Sequence, residues 1–316
     1  MVVVAVAGGT GGLGKTIVEE IGLHGSHHTC YVLGRKAPED ATFDSTSFLQ
    51  VDYEDVVSLT KILEDHDIDT VISTINLETD AGSKAQLNLI AAADSSRVTH
   101  RFIPSEFVHA INEEVATSGP AMGGWASNAR ALKKTGLEYI RISNGLFSDY
   151  WGLPHIESNL RPLHWLLDIE KGLAAIPGTG DERFTVTYSK DLALVILKLL
   201  DVAERWPERL CLSGSDITLN ELVAHAEKIR GTKINVVYDP FEKLEQGDVT
   251  LLWHPDDVPE DEFKPLVVGL CRMILAGDGL LPQDSHYWLA ATFPDLQLTT
   301  AEEILDRAWK GREFAT

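Results

Sequence analysis

Short apolar runs alternate with amphipathic segments along the first half of the chain. Residues 2–7 form a continuous apolar run, whereas apolar residues at 85, 89, 90 and 93 recur with the spacing of one helix face. Continuous short runs are typical of strands buried on both faces of a sheet, and the second spacing is typical of helices packed on it. The alternation therefore predicts an α/β fold.

Six strands and four helices between them are predicted for this half. The strands cover residues 2–7, 29–33, 48–51, 69–75, 101–104 and 137–142, and the helices cover 15–21, 55–65, 85–93 and 126–135. A regular succession of strand, helix and strand is typical of right-handed crossovers. The sequence thus predicts a doubly wound parallel sheet.

The second half is less regular. Strands are expected at residues 184–188 and 234–238, and helices at 189–202, 218–230, 265–276 and 300–309. Ser189 and Thr218 are expected to be N-caps, and Glu221 completes a capping box with Thr218. The acidic residues 256–262 are expected to form a solvated loop. Residues 151–165 are expected to form a loop or short helix over the ligand cleft.

The first apolar run ends in a glycine-rich turn that a helix follows directly. Gly8, Gly11 and Gly14 read G-x-x-G-x-x-G. Glycine lets the backbone turn sharply and lets a phosphate approach closely, while the N–H groups at a helix N-terminus bind that phosphate. We expect these glycines to hold a pyrophosphate. Backbone donors are expected at three further positions of the turn: Thr10, Gly12 and Leu13.

The turn after the second predicted strand indicates which dinucleotide is bound. Arg35 and Lys36 stand where an NAD-preferring site usually has an acidic residue for the ribose 2′-hydroxyl. A guanidinium and an ammonium match a 2′-phosphate, which an acidic side chain would repel. The sequence therefore predicts NADP(H) as the cofactor.

The carboxyl ends of the predicted strands define one ligand cleft. They are residues 8–14, 35–36, 73–75, 105–107 and 143–145. Four side chains are expected to flank the ribose and the nicotinamide: Thr74, Ile75, Ser105 and Phe107. Phe147 is expected to pack on the nicotinamide face. We expect residues 1–150 to form the NADP-binding Rossmann domain and 151–316 a smaller α/β substrate lobe, with some strands and helices returning to the core.

Composition narrows the possible partners. The 316 residues carry a formal net charge of −21, which disfavours nucleic acid and anionic membranes and leaves a small molecule. The three cysteines include no C-x-x-C pair, so neither a metal site nor a disulfide framework is indicated. No apolar stretch is long enough to span a bilayer, and we expect a soluble, cytoplasmic protein. The sequence leaves open whether it is a monomer or a homodimer.

Two motifs make a family resemblance specific. Residues 101–107, Arg-Phe-Ile-Pro-Ser-Glu-Phe, together with the glycine turn, resemble the NmrA-like group of atypical short-chain dehydrogenases, in particular its isoflavone reductase-like branch. Residues 143–150 and 188–193 strengthen the resemblance, which extends to about residue 200. It implies an NADPH-dependent oxidoreductase of secondary metabolism. Such enzymes transfer hydride to a C=N, C=C or C=O bond of a small metabolite.

The chain departs from this pattern where a proton donor is expected. No tyrosine has a lysine four residues later, which excludes the usual Tyr-x-x-x-Lys pair. The resemblance implies a lysine near the start of the helix before the sixth strand, yet Trp125 occupies that position. The remaining candidates for the proton donor are Glu106, His109, Tyr150 and His155.

Three interpretations stay open. One of those four residues supplies the proton, or the substrate is an iminium ion that needs none. An acidic site would attract such a cation, and aromatic faces would add cation–π attraction. Substrate contacts are expected from four residues: Trp125, Trp151, His155 and Trp165. Alternatively, the chain binds the cofactor without hydride transfer, as an NADP-sensing regulator or a non-redox isomerase or cyclase.

Overall fold

The computed structural model describes residues 1–37, 46–111, 123–284 and 287–314. The chain divides into two compact units, and each consists of two stretches of sequence. The first unit contains Met1–Ser143 and Leu192–Cys211, and the second contains Asn144–Asp191 and Leu212–Thr316. The chain therefore leaves the first unit after the sixth predicted strand and returns to it later.

The first unit is built on a six-stranded parallel sheet, which confirms the predicted doubly wound α/β fold. Its strands are β1 (Val3–Ala7), β2 (Thr29–Gly34), β3 (Thr46–Gln50), β4 (Thr70–Ser73), β5 (Arg101–Ile103) and β6 (Glu138–Tyr139). They lie in the order β3-β2-β1-β4-β5-β6. The order reverses direction between β1 and β4, where such sheets bind ligands.

Four helices connect these strands. They are α1 (Gly12–His24), α2 (Val56–Asp65), α3 (Asp80–Ser95) and α4 (Gly123–Leu132). Val4, Ala5, Val6 and Ala7 are fully buried, as expected for a strand covered on both faces. The N-terminal apolar run is therefore a central strand of the sheet.

The sixth predicted strand is divided in the structure. Ile140 N–H still donates to the Phe102 carbonyl, but Arg141 N–H donates to the Glu208 carbonyl. From there the chain forms β7 (Arg141–Ser143), which pairs in parallel with β12 (Arg209–Cys211). The strand breaks because its hydrogen-bonding partner changes. Helix α6 (Ser189–Leu200) precedes β12 and crosses the boundary between the units.

The described residues of the second unit form two three-stranded sheets and several helices. Its strands are β8 (Leu146–Phe147), β9 (Leu167–Asp168), β10 (Leu173–Pro177), β11 (Phe184–Thr187), β13 (Ser215–Ile217) and β14 (Asn235–Asp239). They form the sheets β14-β10-β9 and β13-β11-β8. Its helices are α5 (Asp149–Gly152), α7 (Leu219–Arg230), α8 (Phe241–Glu245), α9 (Glu260–Leu275), α10 (Leu289–Thr292) and α11 (Ala301–Trp309).

Helix boundaries in the second unit confirm one prediction and correct another. Thr218 and Glu221 form the predicted capping box of α7. The acidic stretch is not a loop throughout, because Glu260, Asp261 and Glu262 form the first turn of α9. Carboxylates there face the positive end of the helix dipole, which stabilises the turn. Within the described ranges, no helix has both the length and the apolar character of a membrane span.

A histidine pair lies at the start of β2, within the first unit. His27 Nε2 is 2.7 Å and His28 Nε2 is 3.3 Å from one Asp201 oxygen, which is a spacing that a metal ion can bridge. However, Val2 N–H donates to His28 Nδ1 over 3.2 Å. This bond assigns the hydrogen of the neutral ring to Nε2, which then has no lone pair for a metal. The geometry favours a structural role.

The buried ring of His28 predicts loss of stability in acid. Burial and the neighbouring His27 lower the pKa of His28 below its ordinary value of 6.5. The unfolded chain then binds the proton more readily, so this contribution to stability is complete above pH 6.5 and is lost as pH falls.

We expect His28→Asn, which keeps an acceptor for Val2 N–H, to lose less unfolding free energy between pH 7.5 and 5.5 than wild type. Urea unfolding at both pH values measures this, with His24→Asn, which replaces an exposed histidine of α1, as the control. Equal losses in His28→Asn and wild type would contradict it.

Candidate functional site

A cleft of about 430 Å³ opens at the carboxyl ends of β1, β2, β3 and β4 in the first unit. It brings together five residues that the sequence analysis had assigned to the cofactor: Gly8, Thr10, Arg35, Thr74 and Ile75. The start of α3 closes the side next to β4, through Thr79, Gly82 and Ala85. The cleft therefore lies where the reversal of strand order predicts a ligand.

Two glycines of the turn are required by packing. Gly8 has a φ of +82°, and a Cβ there would lie 2.7 Å from Thr74 Oγ1. A Cβ on Gly14 would lie 2.4 Å from the Gly8 carbonyl oxygen. Thr74 fixes this contact further, because its N–H and its hydroxyl each donate to the Ala7 carbonyl over 2.8 Å. These glycines bring α1 close to the ends of β1 and β4.

Gly11 and Gly12 of the turn face open space. A Cβ on Gly11 or Gly12 would have no atom of the described residues within 4 Å. The first turn of α1 contains no acidic residue, so the positive end of its dipole is not neutralised there. A helix N-terminus of this kind is suited to bind an anionic group.

The exposed side chain of Arg35 follows β2 at one side of the cleft. Tyr53 lies beside it and donates its hydroxyl to the Leu33 carbonyl over 3.1 Å. Burial raises the pKa of Tyr53, and the positive charge of Arg35 partly opposes that rise. The cleft thus holds a cation close to an aromatic ring.

The lining residues that the sequence analysis did not assign to the site include Asp52, Tyr53, Glu54 and Asn76. Asp52 and Tyr53 follow the end of β3 and Asn76 follows β4, so the rule that selected the other segments could have found them. Glu54 pairs with Lys84 on α3. This pair joins the end of β3 to α3 along the cleft.

The segment after β5, residues 104–111, is named here the β5 loop. Within it, the Glu106 carboxylate accepts a 2.7 Å hydrogen bond from Arg141 Nε, and their side chains are only 2% and 4% exposed. This buried ion pair conflicts with a proton-donating role, because the guanidinium stabilises the ionised carboxylate. His109 is half-buried on the same loop, and Phe107 is buried.

Trp125 lies near the start of α4 in a small apolar cluster. The ring is 8% exposed and packs with Leu77 and Ile111, and Ile75 and Val108 cover the cluster. All five residues belong to the first unit and lie near the carboxyl edge of its sheet. Where the family resemblance implies a lysine, this chain therefore has a packed indole.

Five predicted site residues lie in the second unit. Phe147 and Tyr150 are half-buried, with ring centroids 6.4 Å apart in an edge-to-face arrangement. His155 packs edge-on against Trp309 at 4.6 Å, and burial lowers the pKa of His155. Trp151 and Trp165 are each 2% exposed inside the core of the unit. Such burial leaves little indole surface for a substrate, which argues against the contacts expected of these two residues.

Comparisons with known proteins identify the family of this chain. The model of the NmrA-like family matches residues 2–260. The chain is 34% identical to oxidoreductase BOA1 of Botryotinia fuckeliana over 74% of the chain and 77% of that protein. It is 28% identical to oxidoreductase swnN of Metarhizium robertsii over 98% of each.

A solved structure has the same fold. The binary complex of leucoanthocyanidin reductase with NADPH from Vitis vinifera superposes with a TM-score of 0.74 at 18% identity, covering 98% of this chain and 100% of that one. Further relatives are named as an isoflavone reductase homolog and as reductases. The predicted resemblance is thereby confirmed, and the chain belongs to the NmrA-like family, among oxidoreductases that include isoflavone reductase-like proteins.

Proposed function

We propose that this protein is an NADPH-dependent reductase of a small metabolite. The observation that carries the proposal is the cleft at the carboxyl edge of the first unit, where Gly8 and Thr10 of the glycine turn and Arg35 line one cavity. The helix N-terminus that follows this turn has no acidic residue to neutralise it. A dinucleotide with a 2′-phosphate presents anionic groups that match both features. Relatives named as oxidoreductases and reductases support the same chemistry.

The residues present fit this cofactor. Gly11 and Gly12 leave room for the pyrophosphate beside the start of α1, with Thr10 and Leu13 as neighbouring backbone donors. Arg35 and Lys36 would bind the 2′-phosphate. When bound, the cofactor supplies a hydride. Four residues would flank its ribose and nicotinamide: Thr74, Ile75, Ser105 and Phe107. Phe147 remains a proposed contact of the nicotinamide.

The proton chemistry of the chain favours a substrate that is already cationic. Glu106 is committed to Arg141, and the indole of Trp125 does not titrate. A cationic C=N bond gives a neutral amine on reduction and needs no proton from the protein. The net charge of −21 attracts a cation, whereas an enone or ketone gains nothing from it. We therefore propose an iminium substrate, with C=C and C=O substrates as the alternatives.

The effect of removing candidate acids separates these substrates. With a cyclic iminium, we expect His109→Gln and Tyr150→Phe to keep kcat within about threefold of wild type. With a ketone, loss of the residue that donates the proton lowers kcat about 100-fold or more. The absorbance of NADPH measures both reactions, and each variant is compared with wild type on both substrates. A hundredfold loss with the iminium would contradict the proposed substrate class.

A panel of imines, enones and aromatic ketones tests the function itself. We expect NADPH oxidation with at least one member of the imine group. Tight NADPH binding with no turnover across the panel would favour an NADP-sensing regulator. Conversion of a substrate without net NADPH consumption would favour an isomerase or cyclase.

A further inference from the structure

We propose that Arg141 and Arg209 are positioning residues that hold the β5 loop in its active arrangement through Glu106 and the Ile111 carbonyl. The inference rests on the proposed function, because this loop carries Ser105, Phe107 and His109. It assigns the loop's geometry to two arginines that lie outside it, on β7 and β12.

The first contact is the buried ion pair between Arg141 and Glu106. Removing both groups from water is costly, and their attraction offsets that cost only when further hydrogen bonds satisfy the charges. Arg141 makes one such bond, from Nη2 to the Ile111 carbonyl over 3.2 Å. One guanidinium therefore binds the β5 loop near its start, through a side chain, and at its end, through the backbone.

The second contact comes from the neighbouring strand. Arg209 on β12 is in register with Arg141 on β7. Its Nη1 donates to the same Ile111 carbonyl over 3.3 Å. Two adjacent cations thus share one backbone acceptor, which restrains the end of the loop more strongly than either bond alone.

The loop is also folded tightly on itself and tied to α3. Glu106 N–H donates to the Pro104 carbonyl over 2.8 Å, and Val108 N–H donates to the Glu106 carbonyl over 2.9 Å. The buried amide of Gln86 accepts from Ser105 N–H over 2.9 Å. The loop therefore has little backbone freedom between its two arginine contacts, and displacement of one end would move the residues between them.

Those residues shape the apolar face beside the cleft. Val108 and Ile111 both contact the cluster around Trp125. A shift of the Ile111 carbonyl would therefore disturb Trp125 as well as the β5 loop. The arginines act on the site through this displacement and touch neither the cofactor nor the substrate in the proposed arrangement.

The test compares hydrogen exchange in variants without added cofactor. Arg141→Lys keeps a positive charge for Glu106 but shortens the reach to Ile111. Glu106→Leu/Arg141→Met replaces the pair with apolar side chains, a change that often preserves or raises global stability. In both variants, we expect the amide hydrogens of residues 105–111 to exchange at least about tenfold faster than in wild type. The exchange rates of the β1 and β4 amides should be unchanged.

A second readout concerns catalysis. We expect the same variants to lower kcat about tenfold while the Kd for NADPH stays within about threefold, since Gly11 and Arg35 remain in place. Arg97→Lys is the matched control, because Arg97 forms an exposed ion pair with Glu64 in the same unit. It should leave loop exchange and kcat unchanged.

Two results would overturn the proposal. Uniformly faster exchange across β1, β4 and the loop would mean that the pair only stabilises the unit. If the β5 loop of the double variant exchanges its amide hydrogens at the wild-type rate, apolar packing holds the loop without the arginines. Failure of wild-type protein to bind NADPH would instead overturn the proposed function and leave the exchange result intact.

Discussion

Replacing Gly11 with alanine should weaken NADPH binding at least about tenfold while the protein remains folded. Gly11 has a φ of −159°, which alanine adopts freely, and a Cβ there meets no atom of the described residues within 4 Å. The cost to folding is limited to about 1 kcal/mol, the usual loss when alanine occupies a helix N-cap. The added methyl group, however, fills the space through which we expect the pyrophosphate to approach. Titration calorimetry should show at least about a tenfold weaker Kd.

Gly14→Ala is the matched control. We expect it to lower the stability of the protein, whereas Gly11→Ala lowers its affinity for NADPH. The new Cβ would lie 2.4 Å from the backbone oxygen of Gly8, so the backbone must shift. We expect a loss of unfolding free energy of about 1–3 kcal/mol, as for other overpacked sites. If Gly11→Ala binds NADPH as tightly as wild type, the turn does not hold the pyrophosphate.

Replacing Arg35 with serine should change the choice between cofactors. The guanidinium is exposed at the side of the cleft, and we expect it to bind the 2′-phosphate that only NADPH carries. Loss of a charged hydrogen bond costs about 1–3 kcal/mol, which corresponds to a Kd about 5- to 150-fold weaker. The Kd for NADH should stay within about twofold of the wild-type value, because NADH has no phosphate at that position. Fluorescence titration with each cofactor measures the ratio.

Arg97→Ser provides the control for the loss of one positive charge. Arg97 is 84% exposed and pairs with Glu64, away from the residues that line the cleft. Its replacement should affect neither cofactor. Equal weakening of NADPH and NADH by Arg35→Ser would contradict the assignment of the 2′-phosphate to this residue.

The predictable parts of this molecule are those that neighbouring residues determine. The glycine turn, the strands of the parallel sheet and the Thr218 capping box all depend on residues a few positions apart, and all were predicted. The cleft lining followed from a general rule about strand ends, although Asp52 and Tyr53 were not assigned by it. Local pattern and topology thus led to the five assigned residues that the cleft brings together.

The features that the sequence analysis missed depend on residues that lie far apart in the sequence. Glu106 reads as a free acid at a strand end, and only the fold reveals Arg141, 35 positions later, beside it. The break after β6 likewise reflects a partner strand that begins at Arg209. Trp151 and Trp165 were expected at the substrate because aromatic residues suit both cores and ligand sites, and sequence spacing does not distinguish the two.

The return of residues 192–211 to the first unit limits how this chain can be divided. The Trp206 ring, 3% exposed, stacks under the Arg101 guanidinium at 4.5 Å, and the backbone N–H of Trp206 donates to the Glu138 carboxylate. A fragment that stops after residue 150 would lack this indole and also the strand that pairs with β7. Such a fragment would therefore leave β7 unpaired and Glu138 without the backbone N–H of Trp206. During synthesis, the pairing of β7 with β12 can be completed only after the ribosome has added Cys211.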